Sequence, residues 1–226
     1  MIECTGVVKE FGKPAQRVLH NISLKINDGE FVAISGRSGS GKSTLLYIIS
    51  TLDLPTEGAV KIDGREVSTL SSDAVHEFRN RKVGFIFQFH YLLPELTAIE
   101  NVLLPARNLD ISDEIKPYAF DLLKQLGVER QAHKFPGQMS GGEQQRVAIA
   151  RSLVLKPKYL FADEPTGNLD TKNAAIVMDI LKQANQQHGT TVCLVTHDPK
   201  FAAAAEREIY LIDGRIVDRS KDPSIE

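Results

Sequence analysis

Long apolar runs and a strong excess of one charge are both missing from this 226-residue chain. No uninterrupted apolar stretch approaches the roughly 18 residues needed to span a bilayer, so we expect no membrane insertion by the chain itself. Its formal net charge of −2 argues against a dedicated nucleic-acid-binding protein, which usually carries a basic excess. The opening Met1-Ile2-Glu3-Cys4 has no basic segment followed by an apolar core, so no secretory signal is expected.

Cysteine is scarce as well, and its two positions do not form a metal-binding pattern. Cys4 and Cys193 are far apart in the sequence and lack metal-ligand spacing. Cys193 lies inside an apolar run, which predicts a small buried thiol. Two such unpaired thiols fit a reducing, cytoplasmic setting.

The apolar pattern predicts an α/β fold. Short β-branched runs at 6–11, 22–26 and 59–62 predict an antiparallel β lobe. From about residue 71 to 155 the apolar spacing is helical, apart from the strand-like run 83–87. The chain after Lys156-Pro157 alternates strand, helix and strand, with segments at 159–162, about 171–187 and 192–195. That alternation predicts a parallel sheet with helices on its faces.

A glycine-rich segment joins an apolar strand to an apolar helix and predicts a phosphate-binding loop. Its residues are Gly36, Arg37, Ser38, Gly39, Ser40, Gly41, Lys42, Ser43 and Thr44. Glycines let successive backbone N–H groups point inward, and the helix N-terminus adds positive potential where phosphates lie. Lys42 can reach the β- and γ-phosphates, and the Ser43 hydroxyl can ligate Mg²⁺. The alternative is a glycine-rich turn without a ligand, but we predict that the chain binds a nucleoside triphosphate.

Two further segments carry side chains suited to the same chemistry. The apolar strand 159–162 ends in Asp163, which can hold Mg²⁺ through its water shell, and Glu164, which can deprotonate an attacking water. By itself, this pair could be an ordinary strand terminus with solvated acids. Ser140-Gly141-Gly142 opens a helix and predicts a second anion site at a helix N-terminus, the alternative being a simple helix cap.

Six motifs in this order resemble the ATP-binding subunits of ABC transporters over nearly the whole chain. They are the phosphate loop, Gln88, Ser140-Gly141-Gly142, Asp163-Glu164, Asn168-Leu169-Asp170 and His197. The runs 85–92 and 164–170 look like the branch serving lipoprotein release, MacB-type efflux and FtsE-type division complexes, and are most similar to its lipoprotein-releasing members. The resemblance implies one P-loop NTPase domain over 1–226. Its nucleotide-binding core and β lobe would comprise about 1–88 and 156–226, and its helical lobe about 89–155.

The resemblance also implies roles for individual residues. Phe11 would stack on adenine at a position where the family more often has tyrosine, the alternative being a core aromatic. Gln88 would sense Mg²⁺ and the attacking water and link the site to the helical lobe, although alone it could be a loop amide. His197 would contact the γ-phosphate and hold Glu164, although a lone histidine at a strand end is usually structural. Asp170 would lie at a dimer seam, or could equally be a helix N-cap.

The family arrangement further implies that a complete pocket needs two chains. In such ATPases the segment from Ser140 to Gly142 faces the phosphate loop of a second subunit. A homodimer would therefore enclose two ATP molecules, head to tail. This chain departs from the commonest pattern at Glu143, where glutamine is usual, and at Met139, where leucine is usual. In the family, the residue at the position of Glu143 bears on the hydrogen bonding near the ribose of the nucleotide.

We therefore expect an ATPase that drives separate integral-membrane permease subunits, with Mg²⁺ as cofactor, in lipoprotein release or MacB-like export. It would sit peripherally at the cytoplasmic face of a bacterial inner membrane. One alternative is a soluble ABC ATPase of translation or DNA repair, although the chain has neither a second domain nor a long coiled coil. Others are an FtsE-like regulator of cell-wall remodelling, a P-loop kinase, or a nucleotide-binding module without catalysis.

Overall fold

The computed structural model describes residues 1–167 and 169–218, and the chain divides into two compact units. The first unit combines Met1–His76 with the chain from Cys193 onward, and the second is Glu77–Val192. Asn168 of the predicted Asn168-Leu169-Asp170 motif lies outside the described residues. The predicted lobe boundaries at residues 88 and 155 follow the motifs rather than these units and stay a prediction.

The first unit contains the predicted antiparallel β lobe. Its elements are β1 (Ile2–Phe11), β2 (Gln16–Ile26), β3 (Phe31–Gly36), α1 (Lys42–Ile49), β4 (Glu57–Ile62) and β5 (Arg65–Glu66). Four strands pair in the order β2-β1-β4-β5, with Cys4 opposite both Leu24 and Val60. The runs predicted at 6–11, 22–26 and 59–62 lie inside β1, β2 and β4, so this part of the prediction is confirmed.

Strand β3 lies in a different sheet and leads directly into the phosphate loop. It pairs in parallel with a strand near the end of the described chain, with Gly36 opposite Leu211. Phe31 to Ser35 are all buried, which explains why β3 is a continuous apolar run. The remaining elements of the chain's two ends are α2 (Ser72–Lys82) and β8 (Thr191–Val195), which cross the unit boundaries, and α7 (Pro199–Ala202), β9 (Arg207–Ile212) and β10 (Arg215–Val217).

The second unit is mainly helical around two parallel strands. Its elements are β6 (Val83–Ile86), α3 (Ala98–Arg107), α4 (Ser112–Gln125), α5 (Gly141–Leu153), β7 (Tyr159–Asp163) and α6 (Thr171–His188). Strands β6 and β7 run parallel, with Val83 opposite Tyr159 and Ile86 opposite Ala162. A Cβ added at Gly84 would lie 2.3 Å from the Ser152 carbonyl oxygen, so glycine lets α5 approach β6 closely. The strands and helices predicted between 83 and 187 are thereby confirmed.

Both cysteines are buried, as the apolar run around Cys193 predicts. Burial raises the pKa of the Cys4 thiol to about 12 and also raises the pKa of Cys193, so neither thiol ionises near neutral pH. Within 1–167 and 169–218, none of the helices combines the length and apolar character that a bilayer crossing requires.

Candidate functional site

The phosphate loop curls between β3 and α1 through three glycines in positive-φ conformations. Their φ angles are 139° at Gly36, 78° at Gly39 and 96° at Gly41. The Ser40 N–H donates to the Arg37 carbonyl at 3.2 Å, which closes a turn inside the loop. The Leu45 N–H then donates to the Gly41 carbonyl at 2.9 Å, so α1 begins directly at the end of the loop. This geometry is what the glycine spacing predicts.

The loop packs against the hairpin β9–β10, which is not among the predicted elements. A Cβ at Gly36 would lie 2.1 Å from the Leu211 carbonyl oxygen, while one at Gly39 would meet nothing within 4 Å. The Gly214 N–H of the hairpin turn donates to the Ser40 carbonyl at 3.0 Å. The signal for this hairpin is the alternating run 207–212 followed by Asp213-Gly214. The hairpin therefore holds the backbone of Gly36 and Ser40 in place, whereas the space beside Gly39 is open.

Lys42 places its ammonium group over the same loop. Its side chain is buried, and Nζ donates to the Gly36 carbonyl at 3.0 Å and to the Arg37 carbonyl at 2.9 Å. Ser43 and Thr44 follow in the first turn of α1. A cation, a helix N-terminus and curled backbone thus share one loop, an arrangement that suits an anionic phosphate chain.

The other predicted site residues of the first unit are exposed. Phe11 ends β1 with 47% of its surface exposed, which excludes the alternative of a core aromatic. The ammonium of Lys9 lies 4.9 Å from the centroid of its ring. His197 is exposed just after β8, next to Asp198, which caps α7 by accepting from the Lys200 N–H.

Asp163 and Glu164 end the buried strand β7 in the second unit. Asp163 is only 2% exposed, whereas Glu164 is half-buried. Glu164 has a φ of 48°, a left-handed conformation that is unusual for a non-glycine residue, and its carbonyl accepts from the Gly167 N–H at 3.2 Å. Such strain costs about 1–3 kcal/mol and is concentrated at functional sites. Asp163 is therefore buried rather than a solvated acid at the end of the strand.

Ser140 caps α5 through a reciprocal set of hydrogen bonds with Glu143. The Ser140 N–H and hydroxyl donate to Glu143 Oε2 at 2.8 and 3.0 Å, and the Glu143 N–H donates to Ser140 Oγ at 3.3 Å. Gln131 Nε2 donates to Glu143 Oε1 at 2.6 Å. The bond from the Ser140 N–H is the main reason that the pKa of Glu143 is lowered. Glutamate at this position therefore completes a capping box.

The segment after Gln88 is hydrogen-bonded to α5 by the side chains of His90 and Arg151, neither of which is a predicted site residue. Gln88 itself is exposed after β6. His90 Nε2 donates to the Gly141 carbonyl at 2.8 Å, and Arg151 donates to the His90 and Tyr91 carbonyls at 2.9 and 2.8 Å. Because Gly141 opens the helix capped by Ser140, these bonds tie the Gln88 segment to that cap.

Asp170 is the N-cap of α6, so one of its two predicted readings is confirmed. It accepts from the Asn173 N–H at 2.8 Å and from Asn173 Nδ2 at 2.7 Å. These bonds, the backbone one first, lower the pKa of Asp170. Its place at a dimer seam stays a prediction.

The predicted residues are thus divided between the two units. The first unit brings the phosphate loop, Phe11 and His197 into one compact body. The second unit holds Gln88, the Ser140–Glu143 cap, Asp163-Glu164 and Asp170. The phosphate loop and the Ser140 cap each lie at a helix N-terminus, which suits an anionic ligand.

Comparison with known proteins supports the same chemistry. The chain matches the ABC transporter family over residues 19–167. It is 50% identical over 216 residues to the lipoprotein-releasing system ATP-binding protein LolD of Leptospira interrogans serogroup Icterohaemorrhagiae serovar Lai, covering 96% of this chain and 90% of that protein. It is 47% identical to LolD of Geobacter metallireducens, covering 96% and 98% of the two chains.

Solved structures agree with these relatives. A dimeric structure of the ATP-binding cassette MJ0796 bound to ADP and Pi superposes with a TM-score of 0.89 at 42% identity, covering 96% of this chain and 97% of that one. A dimeric structure of the same bacterial ABC transporter cassette superposes with a TM-score of 0.90 at 45% identity and the same coverage. With the phosphate loop and the Ser140 cap in place, the chain belongs to the ABC transporter family, as one of its ATP-binding, ATP-hydrolysing subunits.

Proposed function

We propose that this chain is the ATP-hydrolysing motor of a lipoprotein-releasing transporter. Two copies pair head to tail, so that the phosphate loop of one copy and Ser140 of the other enclose each ATP. Pairing and reopening drive separate permease subunits at the cytoplasmic face of a bacterial inner membrane. The names of the LolD relatives support the lipoprotein cargo, and the dimeric MJ0796 cassettes support the pairing.

One observation carries this proposal. A single chain has one lysine-bearing phosphate loop and one serine-capped helix N-terminus, and these lie in separate compact units. Both are suited to phosphate groups, yet only the first carries the lysine that reaches the β- and γ-phosphates. A homodimer gives each loop a cap from its twin, so two complete pockets form from two chains.

Within each pocket the residues have separate roles. Phe11 stacks on adenine, and the loop residues 36–44 bind the phosphates through N–H groups and Lys42. Glu164 accepts a proton from water as the water oxygen bonds to the γ-phosphorus and the bond to the β-phosphate oxygen breaks. The products are ADP and phosphate. His197 contacts the γ-phosphate, and Gln88 reports its presence to the segment fastened to α5.

Mg²⁺ accompanies ATP in this proposal. Ser43, Asp163 and Gln88 offer hydroxyl, carboxylate and amide oxygens, which are the hard ligands that Mg²⁺ prefers. Asp163 is only 2% exposed at the end of β7, so its carboxyl group is held in place where the strand ends. The ion, when bound, offsets phosphate charge, while these side chains orient it.

Mixing two inactive variants tests whether the pocket is shared. Lys42→Ala removes the cation of the loop, and Gly141→Asp places an anion at the cap. A Cβ added at Gly141 would meet nothing within 4 Å, so this variant is expected to fold. Either variant alone has a defect in both pockets of its dimer. A mixed dimer has one intact pocket, so an equal mixture should recover about a quarter of the parent ATPase rate.

Gly137→Asp is the matched control, because its added side chain also meets nothing within 4 Å and it lies outside the cap. It should hydrolyse ATP at the parent rate. If the mixture of Lys42→Ala and Gly141→Asp stays as inactive as each variant alone, the shared pocket is wrong. The transport role is tested separately: the tagged chain should co-purify with an integral-membrane protein from detergent extracts, and its depletion should retain lipoproteins at the inner membrane. Co-purification with ribosomes or DNA instead would contradict it.

A further inference from the structure

Lys9 occupies one face of the aromatic ring at the end of β1. Its ammonium lies 4.9 Å from the centroid of the Phe11 ring, which is two residues further along the same strand. Alternate residues of a strand point to the same face, and the two side chains are neighbours here although the β1–β2 register shifts between Lys9 and Glu10. Only 12% of the Lys9 side chain is exposed, whereas Phe11 is 47% exposed. The cation therefore lies over one side of a ring that is still about half exposed.

Two oxygen atoms fix the ammonium in that position. Lys9 Nζ donates to Asp53 Oδ1 at 2.7 Å and to the Leu54 carbonyl at 2.7 Å. Asp53 Oδ1 also accepts from the Leu54 N–H at 2.7 Å, so the carboxylate is held by two donors. A lysine with two hydrogen bonds and one ring contact is not a mobile surface cation. It therefore restrains the Phe11 ring from one side only.

The same contacts connect the ring to the helix that starts at the phosphate loop. The Asp53 N–H donates to the Tyr47 carbonyl in the last turn of α1, at 3.1 Å. On the strand side, the Thr56 N–H donates to the Val8 carbonyl at 2.8 Å, and the Glu10 N–H donates to Thr56 Oγ1 at 3.0 Å. The segment 53–56 thus bridges the strand of Phe11 and the helix of Lys42.

We propose that Lys9 is a positioning residue for the nucleotide base. It holds the Phe11 ring in one orientation at a fixed place relative to α1, so that the base, and not only the triphosphate, contributes to binding. A cation over one face of an aromatic ring is favourable, so Lys9 restrains the ring from that side. An aromatic base can then stack on a ring that is already oriented. This inference rests on the proposed stacking of adenine on Phe11.

Comparing two ligands separates base positioning from a general charge effect. Lys9→Met keeps a similar side-chain length and removes the cation. The dissociation constants of ATP and of inorganic tripolyphosphate, both with Mg²⁺, are measured by calorimetry on the full chain. We expect ATP to bind about three- to fivefold more weakly and tripolyphosphate to bind as it does to the parent. Lys9→Arg keeps the cation and should bind ATP within about twofold of the parent.

The matched control is Lys25→Met, which removes an exposed cation of β2 that lies 3.8 Å from Glu3. It should change neither constant. In a Phe11→Ala background, Lys9→Met should cause no further loss of ATP affinity, because the ring it positions is gone.

Three results overturn the inference, and they are distinguishable. Equal weakening of ATP and tripolyphosphate by Lys9→Met shows a charge or folding effect. If Lys9→Met binds ATP as the parent does while Phe11→Ala binds ATP more weakly, the positioning role of Lys9 is refuted. The stacking role of Phe11 is then retained. An unchanged ATP affinity in Phe11→Ala refutes the stacking itself.

Discussion

Replacing Gly36 by alanine tests whether the phosphate loop owes its shape to close backbone packing. Gly36 has a φ of 139°, in a region that side chains rarely adopt. An added Cβ would lie 2.1 Å from the Leu211 carbonyl oxygen and 3.0 Å from Ser40 Oγ. Because Gly36 pairs with Leu211 in the β3–β9 ladder, the clash must push two backbone segments apart.

The loss of folding stability expected for Gly36→Ala can be compared with that for Gly39→Ala in the same loop. Gly39 has a φ of 78°, but a Cβ there meets nothing within 4 Å. Gly39→Ala therefore carries only left-handed strain, about 1–2 kcal/mol. Gly36→Ala carries about 1–3 kcal/mol of strain plus about 1–3 kcal/mol of steric overlap. With the strain taken as similar at the two glycines, the extra overlap of about 1–3 kcal/mol remains. At about 2–4 °C per kcal/mol for a chain of this size, Gly36→Ala should melt roughly 2 to 12 °C below Gly39→Ala.

The assay is the midpoint of thermal unfolding, followed by circular dichroism without nucleotide and again with Mg-ATP. Gly64→Ala is the control for the energy that a side chain costs in a left-handed backbone conformation. Gly64 has a φ of 75°, and a Cβ added there would meet nothing within 4 Å. Gly39→Ala and Gly64→Ala should lose similar stability, but only Gly39→Ala should lose part of the stabilisation by ATP. Equal midpoints for Gly36→Ala and Gly39→Ala would refute the packing argument.

Two further predictions concern the segment after Gln88. Burial, and then the charge of Arg151, lower the pKa of His90 below its ordinary value of 6.5, so the unfolded chain takes up a proton first as pH falls. Stability should therefore drop between about pH 7 and 5.5 more steeply in the parent than in His90→Gln, and parallel unfolding midpoints would contradict this. Asn101 is fully buried and donates to three backbone carbonyls, so Asn101→Asp should lower the free energy of urea unfolding by about 2–4 kcal/mol. The exposed Asn108→Asp should change it by less than about 1 kcal/mol, and equal losses would contradict the role of burial.

The elements of the fold could be predicted from the sequence because their signals are local. Strands buried on both faces are continuous apolar runs, and β7 and β8 lie at the predicted places within a residue at their ends. Helix α6 was predicted at about 171–187 and spans Thr171–His188, between an Asp170 cap and a left-handed Gly189. The phosphate loop was predicted from glycine spacing for the same reason, since its conformation is set by the loop residues themselves.

The contacts that support the site are long-range and could not be predicted in this way. His90 and Gly141 are 51 positions apart, and Lys9 and Asp53 are 44 apart. No periodic pattern relates such pairs, and each side chain alone has an ordinary surface interpretation. Glu143 was recognised only as a departure from the usual glutamine, although its spacing from Ser140 is that of a capping box. That spacing was the available signal for its structural role.

The Ser140 hydroxyl has one proton, and this proton decides how the cap can respond to a phosphate. In the chain alone, Ser140 Oγ donates it to Glu143 Oε2 at 3.0 Å. In the proposed pocket the hydroxyl must turn from that carboxylate to the γ-phosphate of the partner's ATP. Glu143 then still accepts from the Ser140 N–H and from Gln131, so its charge stays hydrogen-bonded. One charge-assisted bond replaces another, and the exchange reverses when hydrolysis removes the γ-phosphate. In the proposed dimer, a carboxylate at this position would give the serine a hydrogen-bond partner within its own chain once the γ-phosphate is gone, which would favour reopening.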